Sequence, residues 1–121
     1  SMCIVDSIAL CSTMRAGITL EDQAEAYRIV TGIKMNIEKL NKAAERIINL
    51  ERLYNVKIGF TRKDDSLPNK FLQEPIPKGP SKGQTVDLNS MLDEYYKLMG
   101  WNQDGIPTEA KLKELGLKHY Q

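Results

Sequence analysis

The sequence predicts an all-α fold, an irregular multi-helix bundle with a Pro/Gly-rich loop between a long central helix and the C-terminal helices. Three observations point there. Apolar residues recur at intervals of three and four through most of the chain, the spacing that lines one face of a helix. Helical signals dominate over the apolar–polar alternation of a half-buried strand, which is confined to short runs. Glycines stand at 32, 100 and 116, where three of the periodic segments stop, as helix terminators do.

Taken in order, residues 2–14 carry too little charge for a solvated surface and too few residues for a stable isolated helix, so something else is expected to cover them. Thr19 is placed to cap a helix over 20–31, with Glu21 and Asp22 in the first turn, where the macrodipole favours carboxylates. Leu20, Ala24, Tyr27, Ile29 and Val30 fit its apolar spacing. Asn36 is the cap expected for the longest helix, from Ile37 to about Val56, whose stripe runs through Ile37, Leu40, Ala43, Ala44, Ile47, Leu50 and Tyr54. Lys39, Lys42, Glu45, Arg46, Glu51 and Arg52 read as its solvated face. From Gly59 to Asp87 four prolines, Pro68, Pro75, Pro77 and Pro80, with Gly79 and Gly83, leave room for one short helical turn, near Leu67 to Leu72, and make Glu74 to Pro80 extended. Phe60, Phe71, Leu72 and Ile76 imply that this loop packs on the helices. Asn89 or Asp87 can cap a helix over Ser90 to Met99, lined by Met91, Leu92, Tyr95, Leu98 and Met99, after which Trp101 anchors the turn. Pro107, Thr108 and Glu109 open a last helix over 109–115.

Composition narrows the function. A chain of 121 residues makes one ordinary domain. Its 41% apolar and 27% charged residues, with a mean hydropathy of -0.41, describe a globular protein. With 17 basic and 16 acidic side chains the net charge is +1, so no field gathers nucleic acid or anionic lipid. The longest apolar run is short and Asp6 interrupts the N-terminal one, which leaves no membrane span or signal-peptide core and an expected cytoplasmic location. Two cysteines, Cys3 and Cys11, make no disulfide framework and suit a reducing compartment. Residues 1–3, opening Ser1-Met2, read as a cloning-derived start ahead of an excised piece.

Few residues can carry chemistry. His119 stands near the chain end as an ordinary exposed residue, and no Ser-His-Asp set, phosphate loop or CxxC pair is present. Asp64-Asp65 and Asp93-Glu94 read as capping and ion-pairing acids rather than catalytic ones. What remains is Asp6-Ser7-Ile8-Ala9-Leu10-Cys11, an acid and a thiol within an apolar stretch. On chemistry alone, Cys11 reads as a small buried hydrophobe.

That segment resembles the Asp-x-x-Gly-Leu-Cys motif of the aldehyde ferredoxin oxidoreductase family, with Ala9 where glycine is usual. Ala44 to Arg52, Gly59 to Pro68, Leu92 to Tyr96, Gly100-Trp101, Gly105 to Thr108 and Leu115 to Leu117 continue the likeness, which covers the chain from residue 4 onward. The resemblance identifies residues 4–121 as the C-terminal helical domain of such an enzyme. It implies that Cys11 is one of four thiolates on a 4Fe-4S cluster, that Asp6 contacts one of two pterins chelating tungsten, and that Leu10 gives backbone contact and apolar cover. It further implies aldehyde oxidation to a carboxylic acid, with ferredoxin as electron acceptor. The other three cluster cysteines then lie upstream, so the remaining N-terminal domains are partners. The isolated piece is expected to be inactive, to bind neither tungsten nor iron stoichiometrically, and to self-associate as a homo-oligomer through its uncovered surface. Cys3 matches no ligand position and reads as buried structure. Arg62 to Pro68 reads structurally, Arg62 pairing with nearby acids, rather than as a substrate contact. The alternative from a different class is a helical interaction module without metal or cofactor, using the N-terminal segment and the Glu74 to Pro80 loop as partner surfaces.

Overall fold

The structure, a computed structural model, describes Ser7 and residues 17–118. Among the described residues five α-helices form and no strand does: α1 (Leu20–Thr31), α2 (Ile37–Lys57), α3 (Asn69–Gln73), α4 (Leu88–Met99) and α5 (Glu109–Leu115). The all-α expectation holds, and local chemistry explains the boundaries. Thr19 caps α1 in a reciprocal box with Asp22, and Gly32 closes it at φ 71°, a left-handed conformation that glycine adopts without a Cβ penalty. Asn36 caps α2, Asp87 caps α4 and Thr108 caps α5, each accepting a backbone N–H of the first turn. Of the two caps the sequence offered for α4, Asp87 serves, and the helix begins at Leu88 rather than Ser90. A 3-10 turn over Arg62–Asp64, capped by Thr61 and Asp64, was not anticipated. The short helix lies two residues later than expected, because Pro68 sits ahead of its first turn.

Helix α2 is the spine. Its first half packs on α1 through Ala24, Leu40 and Ala44, with Leu20 and Met35 against them. Its second half meets α5, where Leu112, Leu115 and Leu117 close around Leu53. At about 100° per residue, Asn49, Leu53 and Val56 point nearly opposite to Leu40, so the buried face changes sides along the helix. The expected stripe is therefore corrected in its second half: Leu50 and Tyr54 are exposed, whereas Asn49 and Arg52 are buried. Arg52 is also corrected from a solvated position, because α4, the 62–65 turn and the loop after Trp101 close over the side opposite α1. The same correction applies to α4, where Tyr96 is buried and Met91 and Leu98 face solvent.

The loop from Gly59 to Asp87 is ordered by its backbone. Ile76 donates its N–H to the Gln84 carbonyl and accepts from Gly83, and Val86 N–H donates to Phe71 O. Its apolar residues are less covered than expected, since Phe60, Phe71 and Ile76 are all exposed. Between α4 and α5, Trp101 and Pro107 form an isolated antiparallel bridge around a turn held by the Asn102 side chain, which accepts from Asp104 and Ile106 N–H.

Gly105, at φ 74° in that turn, tests this packing. A Cβ there would stand 2.8 Å from the Tyr96 ring and closer still to the Arg52 guanidinium, on a backbone that L side chains rarely adopt. Gly105→Ala is expected to destabilise the chain by about 3 kcal/mol, combining left-handed strain with overpacking, read as a lower urea midpoint.

Candidate functional site

The described residues converge on the Arg52 guanidinium, which α2 presents to its buried side. Its Nε donates to Gly105 O at 2.7 Å. The two terminal nitrogens donate to Asp65, at 2.8 Å to Oδ1 and 2.5 Å to Oδ2. Tyr96 Oη donates to the same Oδ2. The guanidinium carbon lies 5.0 Å from the centre of Trp101, whose indole N–H donates to Asn49 Oδ1 at 2.8 Å. Arg62 closes the outer side, 5.2 Å over Tyr96, pairing with Asp93 at 2.7 Å and donating to Gln103 O. Three of these acids thus act as read from sequence: Asp64 caps the 3-10 turn, Asp65 pairs with Arg52, and Asp93 pairs with Arg62. The 3-10 turn, the start of α4 and the 104–106 loop also border an open cleft of about 770 Å³, floored by Val56, Leu88, Leu92 and Ile106 with Arg62 and Lys63 at its rim.

Electrostatics make this cluster a tie rather than a catalyst. Burial pushes the Asp65 carboxyl up, but the Arg52 and Tyr96 hydrogen bonds and the charges of Arg52 and Arg62 outweigh that and hold it below 3.8. Burial, then the hydrogen bond to Asp65 and its charge, push Tyr96 from 10.0 up to about 12. A carboxylate bound to three donors has no affinity left for a substrate proton near neutrality. Among the described residues no group of three His, Cys, Asp or Glu side chains could hold a metal. Gln23, buried in the first turn of α1, keeps an Oε1 that meets no donor among the described residues.

The residues expected to carry chemistry, Asp6, Leu10 and Cys11, lie outside the described residues, as do Cys3, Ala9 and His119. Tyr96, Arg52 and Gly105 were not singled out as a cluster. Only Gly105 left a signal, as the glycine of an Asn-x-x-Gly turn, because the other two depend on contacts more than thirty residues apart.

Fold and cluster together define an all-helical domain in which buried polar ties supplement two small apolar clusters. The chain belongs to the aldehyde ferredoxin oxidoreductase family: the family profile described as "Aldehyde ferredoxin oxidoreductase, domains 2 & 3" matches residues 1–117. It is 42% identical over 118 residues to the tungsten-containing aldehyde ferredoxin oxidoreductase of Pyrococcus horikoshii, covering 97% of this chain and 19% of that protein. The Pyrococcus furiosus protein of the same name is equally similar, with 20% of its length covered. The chain therefore spans about a fifth of the length of these curated relatives. Among solved structures, the active site complex BamBC of benzoyl coenzyme A reductase, in complex with 1,5-dienoyl-CoA, superposes with a TM-score of 0.68 at 33% identity, covering 85% of this chain and 14% of that one. Among the described residues no helix is long and apolar enough to cross a membrane.

The pH dependence of the Arg52 cluster follows from its two shifted groups. Asp65 titrates lower folded than unfolded, so its stabilisation is complete above 3.8 and is lost as pH falls through the folded value. Tyr96 titrates higher folded, so its share is complete below 10.0 and is lost as pH rises toward about 12. Unfolding free energy followed from pH 2 to 12 is expected to fall at both ends. Arg52→Met is expected to cost about 3–5 kcal/mol at pH 7, because it strands Asp65 without its buried counter-ion.

Proposed function

We propose that this chain is the C-terminal part of a tungstopterin and iron–sulfur oxidoreductase that converts aldehydes to carboxylic acids and passes two electrons to ferredoxin. The observation that carries the reading is the segment Asp6-Ser7-Ile8-Ala9-Leu10-Cys11 within a chain 42% identical, over 97% of its length, to proteins named tungsten-containing aldehyde ferredoxin oxidoreductase. Its donor chemistry fits one edge of such a centre. Cys11 offers a soft thiolate suited to iron, and Asp6 offers two oxygens that accept N–H groups of a pterin side by side. A four-thiolate cluster cannot be completed from Cys11 and Cys3, so three ligands come from elsewhere in the longer polypeptide. When bound, the tungstopterin and cluster supply the redox chemistry, accepting and relaying the two electrons released as an aldehyde and water become a carboxylic acid and two protons.

The chain's own residues hold and orient. Asp6 would orient the pterin through its two acceptor oxygens, Leu10 would lend backbone contact and apolar cover, and Cys11 would be one thiolate ligand of the cluster. Ala9 adds a methyl group where the family usually has glycine, so on this reading either the local geometry tolerates the Cβ or pterin contact is weakened. Acid–base work by Asp65 or Tyr96 has no place in this reading, because each is committed to the Arg52 cluster. The rival interaction-module reading relied on exposed apolar surface, which a domain spanning a fifth of its relatives also presents.

In the full-length protein, Cys11→Ser is expected to lower cluster occupancy, read as iron content and the reduced-cluster electron paramagnetic resonance signal, and to abolish aldehyde-dependent ferredoxin reduction. Asp6→Asn should leave iron in place while weakening pterin retention about 10- to 100-fold, the usual cost of losing an orienting contact. Wild-type iron, signal and turnover in Cys11→Ser would remove Cys11 from the centre.

A further inference from the structure

Three large aliphatic side chains stand in solvent where α1 ends: Ile29 is 68% exposed, Val30 84% and Ile33 53%. Nothing local calls for them. The last turn reads Ile29-Val30-Thr31, three successive β-branched residues, which restrict χ1 and weaken a helix. The closing turn also favours cations, so lysine or glutamine would suit a solvated surface better on both counts. The helix is closed without their side chains, by Gly32 N–H to Arg28 O at 2.8 Å and Thr31 Oγ1 to Tyr27 O at 2.7 Å. Packing of α1 on α2 runs through Ala24, Leu40 and Ala44 instead.

Around these three, the polar neighbours form a rim: Arg28 is tied to Glu25 at 2.5 Å on one side and Lys34 follows on the other. An apolar centre inside a polar rim is the anatomy of a protein contact. Its size says which kind. The patch offers on the order of 300 Å², well under the roughly 800 Å² per partner that a stable encounter between separate molecules requires. A contact within one polypeptide needs no such area, since the tether holds the two surfaces at millimolar effective concentration. The relatives are about five times as long as this chain, so a full-length protein of their size would carry polypeptide able to supply the opposing surface.

We propose that the Ile29–Val30–Ile33 tip of the α1–α2 hairpin docks onto an apolar surface of the remaining four-fifths or so of the full-length polypeptide, fixing the hairpin to its body. The inference rests on family membership and is independent of the roles given to Asp6 and Cys11.

Trypsin reads it directly, because Arg28 and Lys34 flank the patch. In the full-length protein, Val30→Gln adds no charge, no tryptic site and no loss of helix propensity, so an undocked helix would tolerate it. Native-state cleavage after Arg28 and Lys34 is expected to rise about tenfold over wild type in Val30→Gln, through more frequent local opening, while Val30→Ile stays at the wild-type rate. Ile33→Gln, beyond the cap of α1, is the second probe and should show the same rise if Val30→Gln does not accumulate. Wild-type cleavage rates in the glutamine variants overturn the docking. A rise accompanied by dissociation of a homo-oligomer in light scattering assigns the patch to a second copy, and overturns it equally.

Discussion

One buried cation organises the C-terminal half of this domain. The Arg52 fork reaches three segments distant in sequence: the Asp65 carboxylate after the 3-10 turn, the Gly105 carbonyl between α4 and α5, and, through Asp65, the Tyr96 hydroxyl of α4. A charge taken out of water is tolerable only when its donors are satisfied and its counter-ion lies in the same site. Here Asp65 meets both terminal nitrogens, and the guanidinium plane rests near the Trp101 face, which is less costly than burying a strongly hydrated ammonium. The apolar clusters cannot replace this tie. Leu112, Leu115 and Leu117 hold α5 to α2, but among the described residues no comparable apolar cluster holds α4, whose one buried side chain is Tyr96. Directional bonds therefore set where α4 and the 59–66 segment lie, and Gly105 is glycine because any side chain would occupy the volume that the guanidinium and the tyrosine ring need.

Helix ends were legible in the sequence because they are local. A capping side chain, three or four backbone N–H groups and a terminal glycine lie within a few residues of one another, so Thr19 with Gly32 and Thr108 with Gly116 could be read without any tertiary information. Faces were less legible. The stripe through Leu40, Ala44, Leu50 and Tyr54 has perfect helical spacing, yet only its first half is covered, because α1 spans 12 residues against the 21 of α2 and the later partners sit on the other side. Arg52 looked solvated for the same reason: burial of a charged side chain depends on an acid thirteen positions away and a carbonyl fifty-three away, which no periodicity encodes. Asp65 was legible as an ion-pairing acid, though not its partner. Asp6 and Cys11 were legible only through the family motif, since acid and thiol alone describe a buried hydrophobic turn as well as they describe a ligand edge.

A domain of this make-up balances local completeness against surface. Every long helix is capped at its start, and the polar cluster is saturated, yet among the described residues fourteen large apolar side chains are exposed while seven apolar ones are buried. That ratio is poor for a free-standing monomer and ordinary for one domain of a longer chain. The superposition on the BamBC chain of benzoyl coenzyme A reductase, at 33% identity, sharpens the point: the helical framework recurs in a protein named for another reaction, so the framework by itself does not select the substrate.

What the framework contributes is therefore position rather than reactivity. Asp65 is paired with Arg52 and its carboxyl is held below its ordinary value, and among the described residues the Tyr96 phenol is pushed away from neutrality, up to about 12. Groups tuned for proton transfer would be displaced toward pH 7, not away from it. With 17 basic and 16 acidic side chains, the chain also adds little net field of its own. Among the described residues the charged cluster is thus structural, and the function proposed above draws its chemistry from Asp6 and Cys11 instead.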